Sequence, residues 1–267
     1  MLKKLLTCPR ARGLDIDNPR TTEIRRRIIL EKPFLRRLYD EWFKGIRDEL
    51  PAGKGPVIEV GSGAGYLEKF APHVVKSDTI PCPDIDIVLD GGALPFADAS
   101  LAALVMVDVF HHLSRPRSFL QEAQRCLSPG GMIIMIEPWV TPWSRFAYGR
   151  FHPEPFVPEA KTWEFPSTGP LSGANIALPW IVFSRDRDMF QAEFPLLRIQ
   201  AIEPMMPFLY LLSGGLSFRS FQPGWTYPLW RFLERLLVSV RPDIAMFARI
   251  AVHRIETGEC GPGRSTE

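Results

Sequence analysis

The chain has 267 residues, 46% of them hydrophobic and 23% charged, with a formal net charge of +2. These values are typical of a soluble globular protein, and the length suits one large α/β domain or one domain with a sizeable appendage. The nearly balanced charge gives no reason to expect an acidic partner.

The cysteines and the hydropathy pattern argue against several other classes of protein. The chain has no Cys-x-x-Cys pair and no Cys/His metal spacing, so we expect neither a disulfide framework nor a bound metal, and a cytoplasmic location fits best. The apolar run at the start is too short for a signal peptide. The longest uncharged stretch, residues 204–218, is broken by proline and glycine and is too short to span a membrane.

Residues 1–50 form a predicted N-terminal helical segment, with helices over residues 22–30 and 33–50. The segment contains thirteen Lys or Arg and eight Asp or Glu, including the run Arg25-Arg26-Arg27. A solvated helix face is one interpretation of that run, and contact with anionic lipid head groups is the other.

Residues 51–255 are predicted to form the main domain, because short apolar runs alternate there with helical patterns. Uninterrupted apolar runs are typical of strands in a parallel sheet that is covered on both faces. The candidate strands are residues 57–60, 74–77, 86–89, 101–107, 132–136, 197–202 and 245–255. The candidate helices between them are residues 67–71, 118–127 and 179–193.

Two apolar insertions interrupt this domain, and residues 256–267 are predicted to be a flexible tail. In the first insertion, 138–178, closely spaced prolines forbid a long regular element, while interleaved aromatic residues indicate packing over the end of the sheet. The second, 205–243, ends in a predicted amphipathic helix over residues 229–240. Its polar face is marked by Arg231, Glu234 and Arg235.

A glycine-rich turn follows the first candidate strand, where residues 57–66 read Val-Ile-Glu-Val-Gly-Ser-Gly-Ala-Gly-Tyr. Glycine permits a sharp turn and lets a ligand approach the backbone, and a helix that starts after the turn offers free N–H groups. Tyr66 occupies the position at which the dinucleotide fingerprint Gly-x-Gly-x-x-Gly needs its third glycine, which argues against a nicotinamide cofactor.

Residues 59–65 resemble motif I of the class I S-adenosylmethionine (SAM)-dependent methyltransferases, and further motifs of that family follow in order. Asp78 ends the second strand, Asp90 begins an Asp-x-x-x-Leu-Pro-Phe segment, and Asp108 begins Asp-Val-Phe-His-His-Leu after the fourth strand. Arg-Cys-Leu-Ser-Pro-Gly-Gly at residues 125–131 matches the turn before strand five. The best match is the type 11 methyltransferase domain, although residues 79–85 leave no room for the helix usual between strands two and three.

The resemblance implies a Rossmann-like, doubly wound α/β fold. We expect a mostly parallel sheet of about seven strands, with N-terminal helices and the two insertions forming a lid. The implied cofactor is SAM, with Asp78 accepting hydrogen bonds from the ribose hydroxyls and Asp90 from the adenine amino group. The expected cofactor-binding residues are Glu59, Gly61, Ser62, Gly63, Gly65, Asp78, Thr79, Asp90, Gly91 and Asp108.

His111 and His112 are the candidate catalytic residues, because they follow a central strand at the edge where open α/β sheets bind ligands. A neutral imidazole near pH 7 can accept a proton from an acceptor hydroxyl, although either ring could instead have a structural role. The candidate acceptor-binding residues are Glu137, Trp139, Tyr148 and His152, with Glu154 nearby in the first insertion.

The sequence therefore predicts a SAM-dependent methyltransferase that methylates oxygen or nitrogen of a small acceptor. Apolar insertions favour an apolar or amphipathic acceptor of the lipid, prenyl-linked or natural-product type, with peripheral membrane contact. The insertions could instead pack against each other or against a second subunit in a homodimer. The alternative functions are a catalytically silent SAM-binding module in an assembly and a glycan or nucleic-acid methyltransferase. A nucleic-acid partner is not expected, because no Asn/Asp-Pro-Pro-Tyr-like motif or basic appended module is present.

Overall fold

A computed structural model describes residues 6–256 of the chain, apart from residues 16, 53–54, 153, 168 and 170–172. The strands in the described residues are β1 (Val57–Glu59), β2 (Val74–Asp78), β3 (Ile87–Val88), β4 (Leu101–Val107), β5 (Leu127–Pro138), β6 (Leu197–Met205) and β7 (Phe247–Arg254). They form one sheet of seven strands in the order β3-β2-β1-β4-β5-β7-β6.

The inner strands are apolar because both faces of the sheet are covered. β4 pairs in parallel with β1 on one side and with β5 on the other, and every residue from Leu101 to Met106 is buried. Among the described strands, β7 alone runs in the direction opposite to the other six, so it is antiparallel to both β5 and β6. The prediction of a mostly parallel sheet of about seven strands is therefore confirmed.

Helices lie on both faces of the sheet. Those of five or more residues are α1 (Pro19–Glu31), α2 (Pro33–Glu49), α3 (Pro116–Cys126), α4 (Pro142–Phe151), α5 (Arg187–Glu193), α6 (Leu209–Ser213) and α7 (Tyr227–Val240). A helical turn (Leu178–Trp180) and a π-helical stretch (Ile181–Arg185) precede α5, so the helix predicted over residues 179–193 is interrupted. The short 3-10 turns are Pro9–Ala11, Leu67–Lys69, Phe110–His112, Gly224–Thr226 and Pro242–Ile244.

Two apolar clusters form the core, one on each face of the sheet, because side chains alternate along each strand. On one face, Leu104 of β4 belongs to the same buried cluster as Phe119 of α3. On the other face, Val105 belongs to a cluster that contains Phe34 and Phe43 of α2. The N-terminal helices are therefore packed into the same core as the sheet.

The first insertion contains a regular helix, α4, although its closely spaced prolines argued against a long regular element. The expectation that they forbid a long regular element is wrong for these ten residues. Pro142 lies in the first turn, where a missing N–H costs no hydrogen bond. Thr141 and Ser144 cap the helix with reciprocal side-chain to backbone hydrogen bonds. Between β2 and β3 the described chain has no helix, as the brevity of residues 79–85 indicates.

The amphipathic helix predicted over residues 229–240 is present as α7, and its polar side faces the rest of the protein. Glu234 is 2% exposed, and its Oε1 accepts hydrogen bonds from the backbone N–H groups of Phe208 and Leu209 at 2.6 Å each. Arg231 donates to Glu41 of α2. The opposite side of α7 is apolar and exposed through Leu229, Phe232, Leu233, Leu236, Leu237 and Val240.

The buried Glu234 should make the stability of the fold depend on pH. Burial raises the pKa of Glu234 to about 7, whereas the pKa of a Glu in an unfolded chain is about 4.3. The folded protein binds this proton more tightly, so its contribution to the free energy of unfolding falls as pH rises from about 4.5 to 7.

Glu234→Gln keeps the accepting oxygen and removes this titration. Between pH 4.5 and 7 the variant should lose roughly 1–3 kcal/mol less stability than the wild type. Urea unfolding of both proteins at several pH values measures this difference. The contributions of the other titrating groups are the same in both proteins and cancel. The same pH dependence in both proteins would contradict the role given to Glu234.

Candidate functional site

A cavity of about 510 Å³ lies at the carboxyl ends of β1, β2 and β4. The strand order reverses between β1 and β4, which is where open α/β sheets form a ligand crevice. The N-terminal helices also contribute to its lining, although no motif in the sequence indicated these residues: Thr22, Arg25, Tyr39 and Phe43.

The glycine-rich loop after β1 forms one wall of the cavity. Gly61 has a φ of +69°, and a Cβ at this position would lie 2.7 Å from a methyl group of Val109, so glycine is required. The backbone N–H of Gly63 donates to Oδ2 of Asp78 at 3.0 Å. This hydrogen bond fixes the loop to the end of β2.

Two buried carboxylates lie beside this loop. Glu59 is 2% exposed, burial raises its pKa to about 8, and its Oε2 has no hydrogen-bond partner. Burial also raises the pKa of Asp78, whose Oδ1 accepts from the N–H of Ile80 at 3.1 Å. A buried acceptor without a donor is costly, so this wall fits a ligand with several donor groups. SAM carries an ammonium group and ribose hydroxyls, and it satisfies that requirement.

The other residues of the expected cofactor site also line this cavity. Its lining includes every residue that the resemblance implies: Glu59, Gly61, Ser62, Gly63, Gly65, Asp78, Thr79, Asp90, Gly91 and Asp108. The individual contacts of these residues with a cofactor remain predictions.

The loop that carries the two histidines is held by Glu137, near the end of β5. The carboxylate of Glu137 is fully buried, and its Oε1 accepts the backbone N–H groups of Val109 and Phe110 at 2.8 and 2.7 Å. Its Oε2 lies 2.8 Å from Nδ1 of His111. One carboxylate therefore fixes both the backbone of the loop and the first histidine ring.

Glu154, in the first insertion, lies opposite both histidines. Its Oε2 is 3.6 Å from Nε2 of His111 and 3.9 Å from Nε2 of His112. Nδ1 of His112 lies 3.1 Å from the carbonyl oxygen of Gly173. Because a carbonyl oxygen can only accept, Nδ1 carries the proton of the neutral ring, and Nε2 carries a lone pair.

The two histidines have opposite electrostatic surroundings. Burial lowers the pKa of His111, but the carboxylates of Glu137 and Glu154 outweigh that effect and raise it well above its usual value. Burial, together with the nearby charge of His111, lowers the pKa of His112 to about 4. His112 is therefore neutral near pH 7 and also lines the cavity, so its Nε2 lone pair can accept a hydrogen bond or bind a metal ion.

The four candidate acceptor residues lie outside the lining of the cavity. Glu137 positions the histidine loop, and Trp139 is buried in one of the two core clusters. The hydroxyl of Tyr148 donates to the carbonyl oxygen of Met246 at 2.6 Å. Nδ1 of His152 accepts the backbone N–H of Glu154 at 3.3 Å. An acceptor contact at any of the four stays a prediction.

His111, His112 and Glu154 form a group of potential metal ligands that the sequence did not indicate, and the expectation that no metal is bound stays a prediction. One ligand atom from each lies within 4.8 Å of the other two. The spacing in the sequence did not indicate this group, because Glu154 is far along the chain from the histidines. Only the packing of the first insertion brings its carboxylate to them.

A comparison with family models finds that residues 58–135 match a methyltransferase domain. The matched segment runs from β1 into β5 and includes the glycine-rich loop, Asp78, Asp90 and both histidines. A search of curated proteins finds no significant match.

Solved structures share the fold over most of the chain. Geranyl diphosphate C-methyltransferase from Streptomyces coelicolor A3(2) is 14% identical with a TM-score of 0.53, over 94% of this chain and 92% of that chain. It was solved with Mg²⁺, geranyl diphosphate and S-adenosyl-L-homocysteine. A possible histamine N-methyltransferase from Thermotoga maritima is 15% identical with a TM-score of 0.51, over 88% of this chain and 96% of that chain. At these identities the likeness establishes the fold alone.

Asp78→Ala should weaken the affinity for SAM by roughly 10- to 100-fold, because buried ribose hydroxyls lose a charged acceptor and the Gly63 N–H loses its partner. Isothermal titration calorimetry measures the change. Asp86→Ala is the matched control, because Asp86 is an exposed acid that also accepts a backbone N–H, from Lys76, but does not line the cavity. Unchanged affinity in Asp78→Ala would contradict the assignment.

Proposed function

We propose that this protein is a class I SAM-dependent methyltransferase and that its acceptor is an amphipathic compound with a hydroxyl group. The observation that carries the proposal is the position of the cluster formed by His111, His112 and Glu154. It lies at the carboxyl ends of the central strands, and His112 brings it to the wall of the cofactor cavity.

SAM, when bound, supplies a methyl group on a positively charged sulfur. We propose that Asp78 binds its ribose hydroxyls, Asp90 its adenine amino group, and the backbone of the glycine-rich loop approaches it closely. Glu59 also lines the cavity, and its buried Oε2 has no hydrogen-bond partner. These residues hold the cofactor and take no part in activating the acceptor.

An acceptor hydroxyl must lose one proton when it becomes a methyl ether, and a neutral hydroxyl is a poor nucleophile. His112 lines the cavity, its ring is fixed by the carbonyl of Gly173, and its Nε2 carries a lone pair. Asp108 lies at the same wall, with a φ of +60° and a pKa that burial raises to about 6. A cavity wall that contains these two acceptor groups suits the activation of a hydroxyl.

The amphipathic character of the acceptor is supported by the outer surface of the second insertion. The exposed side of α7 carries several large apolar side chains, and Trp225, just before the helix in the chain, is 77% exposed. Leu216, from the same insertion, lines the cavity. We propose that this surface, called here the α7 face, rests on a lipid surface from which the acceptor enters. No helix of the described chain is long and apolar enough to cross a membrane.

His112→Gln should lower turnover by roughly 100- to 10,000-fold while leaving the affinity for SAM within about twofold of wild type. The acceptor is presented as lipid and metabolite extracts, and transfer is followed with methyl-labelled SAM. His73→Gln, at an exposed histidine outside the cavity lining, is the control. Equal turnover in the two variants would contradict the role of His112, and a labelled amine as product would overturn the hydroxyl acceptor.

The α7 face should bind vesicles that contain anionic lipid, because apolar side chains enter the interface and Arg235, 68% exposed, adds charge attraction. In co-sedimentation, replacing Phe232 and Leu236 with serine should release the protein. Met189→Ser is the control, because Met189 is also an exposed apolar residue but lies on α5 and not on the α7 face. No sedimentation of the wild type, together with a dimer that the double substitution dissociates, would show that a second subunit covers this face.

A further inference from the structure

We propose that His111, His112 and Glu154 bind a divalent transition-metal ion of the zinc type at the edge of the cofactor cavity. Binding of the ion is independent of the proposed function, but its role in activating a hydroxyl acceptor rests on it. The ligands would be Nε2 of each histidine and one carboxylate oxygen of Glu154.

Two of the three distances between the proposed ligand atoms are close to those of a metal site, and one ligand atom of each residue lies within 4.8 Å of the other two. Oε2 of Glu154 lies 3.6 Å from Nε2 of His111 and 3.9 Å from Nε2 of His112. A tetrahedral zinc ion about 2.1 Å from each ligand places the ligand atoms roughly 3.4 Å apart. Glu154 is the most exposed of the three, at 23%, and a shift of its flexible side chain by about half an ångström would close the gap.

The opposite nitrogen of each ring is already held in the way that metal sites require. Nδ1 of His111 meets the carboxylate of Glu137, and Nδ1 of His112 meets the carbonyl oxygen of Gly173. Partners of this kind fix the orientation of a ligating histidine and increase the basicity of the nitrogen that binds the metal. Glu137 is itself immobilised by two backbone N–H groups. A histidine that only fills space in a core does not need such an arrangement.

An ion pair with Glu154 explains the position of His111 but not that of His112. A protonated His111 between Glu137 and Glu154 is satisfied on both sides. His112 is different, because its proton is on Nδ1 and the lone pair of Nε2 lies toward a carboxylate oxygen at 3.9 Å. Two electron-rich atoms then face each other with no proton between them, and a bound cation removes the repulsion.

The donor set also limits which ion would bind. Two imidazoles and one carboxylate suit zinc, cobalt(II) or iron(II), whereas magnesium and calcium prefer oxygen ligands. Three protein ligands leave a coordination position open, as in catalytic sites. With an ion bound, Nε2 of His112 would be a ligand and could not accept a proton. The ion would lower the pKa of an acceptor hydroxyl in the open position, and Asp108, which also lines the cavity, or solvent would then take the proton.

The test is a titration of the EDTA-treated full-length protein with Zn²⁺ in a calorimeter and with Co²⁺ in an absorption spectrometer. We expect about one equivalent of Zn²⁺, no comparable binding of Mg²⁺, and visible bands of four- or five-coordinate Co²⁺ without a thiolate charge-transfer band. X-ray absorption of the zinc form should show two imidazole ligands. A thiolate signal, or the absence of stoichiometric binding, would overturn the proposal.

Two matched substitutions in the first insertion locate the site. Glu154→Gln should weaken Zn²⁺ binding by at least about tenfold. Glu159→Gln, at an exposed carboxylate that pairs with Arg145, should leave it unchanged. Equal affinities would overturn the proposal, and if Glu154→Gln does not fold, the wild-type spectra decide. Turnover in the absence of metal would contradict the role of the ion and leave the proposed methyl transfer intact.

Discussion

Glu137 places a fully buried carboxylate where β5 leaves the centre of the sheet, and three donor groups surround it. Two are backbone N–H groups of the loop after β4, and the third is the ring of His111. Because an unpartnered buried carboxylate is costly, this group and the loop can only be buried together. The path of the loop sets the unusual backbone of Asp108 and the direction of His112. The proposed acceptor side of the site therefore depends on one carboxylate that does not line the cavity.

The two walls of the cavity have different physical origins. The cofactor wall is made of backbone and short acids on consecutive strand ends, so its shape follows from the parallel sheet. On the other side, the β4 loop contacts Glu154 and Gly173, which come from the first insertion and do not themselves line the cavity. We therefore expect changes in that insertion to alter the proposed acceptor chemistry while the glycine-rich loop and Asp78 stay in place.

This difference also explains how much could be predicted from the sequence. The sheet and its direction followed from local patterns. The cofactor wall followed from the family resemblance, because Gly61, Asp78 and Asp90 each lie at the end of a strand or just after it. The cluster at Glu154 did not follow, because its distance to the histidines depends on how a proline-rich segment packs. For the same reason the sequence did not show that Tyr39 and Phe43 line the cavity, or that Trp139 belongs to the core. The helix α4 was missed because proline was counted as a breaker even at a helix start.

The attachment of α7 leaves large apolar side chains on both sides of one helix. Tyr227 is buried in the same core cluster as Phe34, and Glu234 and Arg231 add polar contacts with the rest of the protein. The leucines on the opposite side face outward. Kosmotropic salts strengthen apolar burial wherever a partner surface is available. Concentrated sulfate should therefore favour contact between the outward leucines of two molecules, a hazard for purification and for crystallisation.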